Sequence, residues 1–196
     1  MLSLAKRGVS SIFTYHSNQS EAKKVVSLVA ETGRKAIALP LDAGNTGAFG
    51  SFVQQVRDAL ADLGAEHFDY LVNNAGISHH VAFDKTTEQE LDSLYHVHFK
   101  GAFFLTQKLL PLIKDGGRIV MISSGLTRII IPGSAPYASI KGAVEILSRY
   151  LAKELGPRRI AVNWLLQAPS KPILAPGAEA WLPIFKCLSA CSKTKG

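Results

Sequence analysis

The amino-acid sequence predicts an α/β fold, a doubly wound parallel sheet wrapped by helices on both faces. Two observations carry this reading. Short apolar runs alternate along the chain with longer amphipathic ones, the pattern of strands joined by helical crossovers. Two of the apolar runs also end in small or amide residues, at the strand end where such sheets bind ligands. The 196 residues suit a single domain with a sizeable core.

The elements follow in order. Ser11-Ile12-Phe13-Thr14-Tyr15 reads as a strand. A helix capped by Ser20 runs to Glu31 and ends at Gly33. Lys35 to Leu39 is the next strand, and a helix extends from about Thr46 to Leu63. Phe68 to Val72 forms a strand that stops at Asn73-Asn74-Ala75-Gly76. One long helix is expected over Thr86 to Leu112, with Thr86 and Gln89 at capping-box spacing. Gly116-Gly117 marks a turn before the strand Arg118 to Ile122. Pro136 to Leu155 is helical, with Ile140, Val144, Leu147 and Leu151 on one face. Ile160 to Leu166 reads as a buried strand.

Composition narrows the function classes. Hydrophobic residues at 47% and charged residues at 19% are those of an ordinary globular domain. No apolar run reaches the roughly 18 residues of a membrane span, and the N-terminus lacks a secretory pattern, so a cytoplasmic protein is expected. The net charge of +7 is spread along the chain without a Lys/Arg block, which argues against nucleic acid as a partner. Cys187 and Cys191 read as unpaired thiols. With no histidine after His98, they have no further ligands at metal-binding spacing, and no metal is expected.

The chemistry concentrates in three places. Tyr137-Ala-Ser-Ile-Lys141 puts a phenol and an ammonium one helical turn apart, on one face. A Lys⁺ close to a phenol favours phenolate, so this spacing predicts a lowered Tyr137 pKa and a group able to exchange protons. Ser124, in Ser123-Ser124 at a strand end, stands thirteen residues before Tyr137 and is placed to hydrogen-bond a substrate oxygen beside it. Asn73 to Gly76 ends another strand, with small residues that let a ligand approach the backbone closely.

Together these motifs resemble the short-chain dehydrogenase/reductase family, from about Leu4 to Asn163. The resemblance implies a Rossmann-like fold and an oxidoreductase that moves hydride between NADP(H) or NAD(H) and a small carbonyl/alcohol substrate. Tyr137 would be general acid/base. Ser124 would position the reacting oxygen. Lys141 would lower the Tyr137 pKa and hold the nicotinamide ribose. Asn73, Ala75 and Gly76 would line the cofactor cleft, with Asp42-Ala43 at the adenine. His98 aligns with a position that is normally Asn, where it is read either as a proton relay or as a packed helix histidine. His79, His80, Gly125 and Leu126 would border the substrate. At the end of the second family strand, Tyr15-His16-Ser17-Asn18 offers no carboxylate against a 2′-phosphate, which favours NADP(H) over NAD(H). The helices Phe99 to Leu112 and Ile140 to Leu151 would pack in a homodimer or homotetramer. The alternative is a catalytically inactive remnant that acts through those helices as a subunit-interaction protein.

The resemblance is incomplete at both ends. Nothing matches the family's first strand and its Gly-rich phosphate turn, since Met1 to Gly8 corresponds to the end of the following helix. After Asn163 the chain departs again, and Ala175-Pro176-Gly177-Ala178 only echoes a family Pro-Gly segment. The expectation is a partial domain over 1–163, without the usual first and last strands, and a divergent tail over 164–196. The strands flanking the missing one would lack partners, at about 1–3 kcal/mol for each buried unpaired backbone group.

Overall fold

A computed structural model describes residues 1–167 and 186–190. The short helix α1 (Leu2–Ala5) precedes β1 (Ser10–Tyr15), α2 (Gln19–Ala30), β2 (Ala36–Pro40) and α3 (Phe49–Asp62). Then come β3 (Phe68–Asn73), α4 (Glu88–Tyr95), α5 (Gly101–Leu109), β4 (Ile113–Ser124), α6 (Ala135–Glu154), β5 (Ala161–Gln167) and β6 (Lys186–Ala190). The strands form one sheet in the order β2-β1-β6-β3-β4-β5. The pairs β1/β2, β3/β4 and β4/β5 are parallel, while β6 is antiparallel to both of its neighbours.

Alternation along β1 divides the interior in two. Four successive β1 residues are buried, and in a strand successive side chains point to opposite faces. Ile12 joins a core built with Phe49, Phe52 and Val56 of α3, Leu105 and Leu109 of α5, and Val144 and Leu147 of α6. Its neighbour Phe13 joins a second cluster with Ala5 of α1 and Ala22 and Val29 of α2. Helices thus cover both faces of the sheet, as the alternating pattern predicts.

The centre of the sheet departs from expectation. The sequence implied that β1 and β3 would be left without a partner between them. Instead β6 lies there, pairing Ser10 to Thr14 with Ala190 to Lys186 on one side. On the other it pairs Tyr70 and Leu71 with Ser189 and Leu188. The sheet therefore reaches past the boundary expected at residue 163, through β5 to Gln167 and again through β6. Cys191 and the Ala175 to Ala178 echo lie outside the described residues.

Several local expectations are also corrected. The cap of α2 is Asn18, not Ser20: Asn18 Oδ1 accepts from Glu21 N at 3.1 Å, and the Ser20 hydroxyl donates to the same oxygen. The capping box falls one residue later than predicted. Thr87 Oγ1 accepts from Glu90 N and Glu90 Oε2 accepts from Thr87 N, because Thr86 Oγ1 is turned back to Ala82 O. The turn expected at Gly116-Gly117 lies inside a longer β4, as an irregularity where the register jumps from Phe68↔Ile113 to Tyr70↔Arg118. The single helix expected from Thr86 to Leu112 is interrupted by a π-turn over His96–Lys100.

The pairing of Leu188 with both Ile12 and Leu71 makes a test of the central strand. Leu188→Pro removes its backbone donor from the middle of the sheet, where an unmade buried hydrogen bond costs about 1–3 kcal/mol. Thermal melting followed by circular dichroism should show a cooperative transition at clearly lower temperature, and an unchanged midpoint would remove β6 from the sheet centre.

Candidate active site

Because β1, β3, β4 and β5 all run the same way, their C-terminal ends share one edge of the sheet. Tyr15 to Asn18 leave β1 there, Asn73 to Gly76 leave β3, and Ser124 ends β4. The antiparallel β6 begins at the same edge, since Lys186 pairs with Thr14. Open parallel sheets bind ligands along this edge.

Three elements deliver the central group. The α6 helix carries Tyr137 and Lys141 one turn apart, β4 delivers Ser124, and the π-turn before α5 carries His98. The Tyr137 hydroxyl is hydrogen-bonded to Ser124. The His98 ring meets the Tyr137 ring edge-on, with centroids 5.2 Å apart. Lys141 Nζ stands 5.6 Å from the Tyr137 centroid and donates to Ile122 O at 2.7 Å. Asn73, Ala75, Ala43, His98 and Lys141 line one small pocket, and Asn73 Nδ2 donates to Thr106 Oγ1 at 2.9 Å.

Burial governs the charge states. It raises the Tyr137 pKa above its ordinary value, opposed only by the hydrogen bond from Ser124. The lowering expected from Lys141 is therefore corrected: burial raises the Tyr137 pKa instead, and Tyr137 is a neutral phenol at neutral pH. Desolvation also brings Lys141 down to about 8, so it is still mostly an ammonium at neutral pH. His98 falls to about 3, first through burial and then through the nearby Lys141 charge. A histidine held neutral in this way does not cycle through imidazolium near neutral pH. His98 Nε2 lies 2.7 Å from Ile77 O and 3.2 Å from Ile77 N. With Nε2–H donating to the carbonyl, Nδ1 is an acceptor that is buried and has no partner among the described residues.

Two glycines show how tightly this region closes. A Cβ on Gly76 would stand 2.8 Å from His98 Cε1. A Cβ on Gly101 would overlap the backbone oxygen of Ala43, so the π-turn and the loop after β2 touch through a bare backbone. The sequence reading missed this π-turn. Such turns widen a helix by one residue and often occur at functional sites. The signal available was Gly101, which follows His96 to Lys100 in an otherwise helix-favouring stretch.

The remaining candidates sit farther out. His16 and Ser17 are exposed, while Asn18 Oδ1 is engaged in the cap of α2. Asp42 Oδ1 accepts from Gly44 N at 2.8 Å and shapes the loop containing buried Ala43. His80 Nδ1 lies 3.4 Å from Ser134 Oγ, and Val81 N donates to Gly133 O, which joins the segment after Gly76 to the loop before α6. Among the described residues no cluster of His, Cys, Asp and Glu suits a metal ion. No helix there is long and apolar enough to cross a membrane.

Comparisons with known proteins give the family to which this site belongs. A family model described as enoyl-(acyl carrier protein) reductase matches residues 2–184. The chain belongs to the short-chain dehydrogenase/reductase family. A hydroxynaphthalene reductase-like protein, Arp2, of Metarhizium brunneum is 34% identical over 92% of this chain and 66% of its own length. A solved structure of the reductase LugOII, said to catalyse keto-reduction in lugdunomycin biosynthesis, is 32% identical with a TM-score of 0.81. The match covers 85% of this chain and 67% of LugOII. The landomycin C-6 ketoreductase LanV, solved with bound NADP and rabelomycin, is 32% identical with a TM-score of 0.76, over 79% of this chain and 64% of LanV. This member spans just under two thirds of the curated relative's length.

For a nicotinamide cofactor, the fit differs along the edge. The unpartnered acceptor of His98, the Lys141 ammonium, the Tyr137 hydroxyl and the close backbone at Gly76 suit the nicotinamide–ribose end. Among the described residues, none forms a Gly-rich turn leading into a helix N-terminus of the kind that meets a pyrophosphate.

Two tests follow. Gly101→Ala should lower stability by about 1–3 kcal/mol in urea unfolding, because the new methyl meets fixed backbone rather than a movable side chain. The His98 pKa of about 3 lies below its ordinary 6.5. Below pH 6.5 the unfolded chain gains a proton that the folded chain refuses, so this term costs stability as pH falls and vanishes above 6.5. His98→Gln should therefore flatten the decline in melting temperature between pH 6.5 and the carboxylate range. An equally steep decline in the variant would remove His98 as its source.

Proposed function

We propose that this protein is an NADP(H)-dependent ketoreductase that interconverts a carbonyl and an alcohol. The observation that carries the reading is the geometry of Tyr137 beside Ser124, with Lys141 one turn on and its Nζ 5.6 Å from the phenol ring. When bound, the nicotinamide cofactor supplies the hydride. Tyr137 Oη–H donates its proton to the substrate oxygen, and the raised pKa keeps that proton available at neutral pH. Ser124 Oγ–H orients the same oxygen before the transfer and turns to the phenolate left behind after it. The Lys141 charge stabilises it too, and turning from Ile122 O would let Nζ hold the ribose hydroxyls. Neutral His98 packs against the phenol ring and fixes its plane rather than relaying protons through a charged form.

Several features support the finer choices. No carboxylate stands between Tyr15 and Asn18 to repel a 2′-phosphate, exposed His16 and Ser17 are available as donors, and the chain is cationic. LanV was solved with NADP. The loop after Ser124 exposes Ile129 and Ile130, and Phe83 is exposed on the segment tied to that loop through Val81. An apolar mouth of this kind fits a flat aromatic ketone, in keeping with the hydroxynaphthalene and angucycline names of the relatives. Exposed Phe104 on α5 and Ile146 and Tyr150 on α6 favour self-association through those helices.

Titration with NADPH, followed by nicotinamide fluorescence, tests the cofactor, and absence of binding at millimolar NADPH would overturn the proposal. With a bicyclic aromatic ketone as substrate, Tyr137→Phe should abolish turnover while leaving NADPH affinity within about twofold, since the phenol hydroxyl acts mainly on the reacting oxygen. Turnover retained in that variant would remove Tyr137 from its role. Reduction should also slow as pH rises through about 8, where Lys141 loses its charge. A profile flat through that range would place the charge elsewhere.

A further inference from the structure

Glu145 is a buried carboxylate that the proposed chemistry does not use. It sits on α6 one turn beyond Lys141, and only 4% of the residue is exposed. Its Oε1 accepts from Ser123 Oγ at 2.7 Å and from Thr127 Oγ1 at 2.7 Å. Its Oε2 pairs with the Arg128 guanidinium at 2.7 Å. All three partners belong to the short stretch that contains Ser124. Thr127 Oγ1 also lies 2.8 Å from Ser124 O, and Ser124 Oγ accepts from Leu126 N at 3.2 Å.

We propose that Glu145 is a positioning residue for the Ser124–Tyr137 pair, clamping the turn after β4 onto the helix that carries Tyr137. Packing alone does not explain a carboxylate here. An apolar side chain would fill this buried site without the desolvation cost of a charge, and the carboxylate here instead holds Ser123, Thr127 and Arg128 through hydrogen bonds. The clamp spans two elements that must agree in position. Ser124 rides on the end of β4, Tyr137 on the first turns of α6, and the loop between them contains exposed Ile129 and Ile130. Nothing else on that loop ties its first residues to α6 with comparable hydrogen bonds among the described residues. Burial raises the Glu145 pKa, but the hydrogen bonds from Ser123, Thr127 and Arg128 and the Arg128 charge together lower it, which keeps the carboxylate ionised and the clamp closed at neutral pH.

The functional part of this inference rests on the roles proposed for Tyr137 and Ser124, but its geometry is testable without cofactor. The probe is the ¹³Cζ resonance of Tyr137 at neutral pH, assigned with Tyr137→Phe and calibrated with Ser124→Ala, which removes the hydroxyl partner. Glu145→Ala should move that resonance most of the way toward its Ser124→Ala value. Glu145→Gln keeps one acceptor oxygen and should restore part of the wild-type shift. Arg128→Ala, at a half-exposed side chain, should give a smaller change in the same direction. In ketone reduction, Glu145→Ala should lower kcat by about 10- to 100-fold with little change in KM, the signature of lost alignment. If Glu145→Ala lowers the melting temperature but leaves the Tyr137 resonance at its wild-type position, the role is structural and the proposal is overturned. Should that variant not fold, an unmoved resonance in both Glu145→Gln and Arg128→Ala overturns it equally. If the wild-type chain does not bind NADPH, the ketoreductase reading falls, while the resonance still decides the clamp.

Discussion

Strands β1 and β3 do not pair with each other, and the sheet is continuous between them through the backbone of β6. The two sides of the seam also share a core, in which Ile12 of β1 clusters with residues of α3, α5 and α6. β1 and β2 pack with α2, while β3, β4 and β5 pack with α5 and α6. Between them runs a gap one strand wide, whose edges present backbone donors and acceptors that are costly to bury unpaired. β6 meets that requirement with a direction opposite to its neighbours, which shows that the constraint is hydrogen-bond satisfaction rather than parallel topology. β1 and β3 run the same way because both are antiparallel to β6, and the candidate residues at the ends of β1, β3 and β4 therefore share one edge.

Local sequence signals made most of the scaffold legible. Short apolar runs marked β1 and β3, one-face spacing marked α6, and Asn-Asn-Ala-Gly and Ser-Ser stand at strand ends as read. Residues with two competing uses were less legible. Asn18 was read for ligand contact, yet its oxygen caps α2, because a helix start exposes unpaired N–H groups wherever it occurs. Thr86 and Thr87 both satisfy a capping rule, and only the turn before α4 decides between them. The strand β6 was hidden because Lys186 to Ala190 carries no strong strand pattern. Its place is set by long-range pairing that no local window contains.

The candidate site shows why spacing alone did not reveal its electrostatics. A Tyr and a Lys one turn apart suggest a depressed phenol pKa, a reading that leaves out the cost of desolvating the phenolate. Here burial acts on Tyr137, Lys141 and His98 together and pushes each toward its neutral form. For proton donation to a carbonyl this is the useful direction, because the phenol retains its proton and the lysine retains most of its charge. Burial cannot be read from the i, i+4 relation. It reflects the π-turn, which brings the His98 ring edge-on to the phenol ring, and Gly101, which lets that turn reach the loop of Ala43.

The position of β6 has a kinetic consequence. Its partners at Ser10 to Thr14 are separated from it by nearly the whole sequence, so the central pairing has the longest loop closure in the sheet. During synthesis the first two strands and the next three can each assemble as their residues emerge, but the seam between them stays open until β6 has been made. In that interval two sheet edges are exposed together, and open edges are the surfaces through which chains aggregate or exchange strands. Closure of the whole sheet thus waits on one five-residue strand reaching its slot.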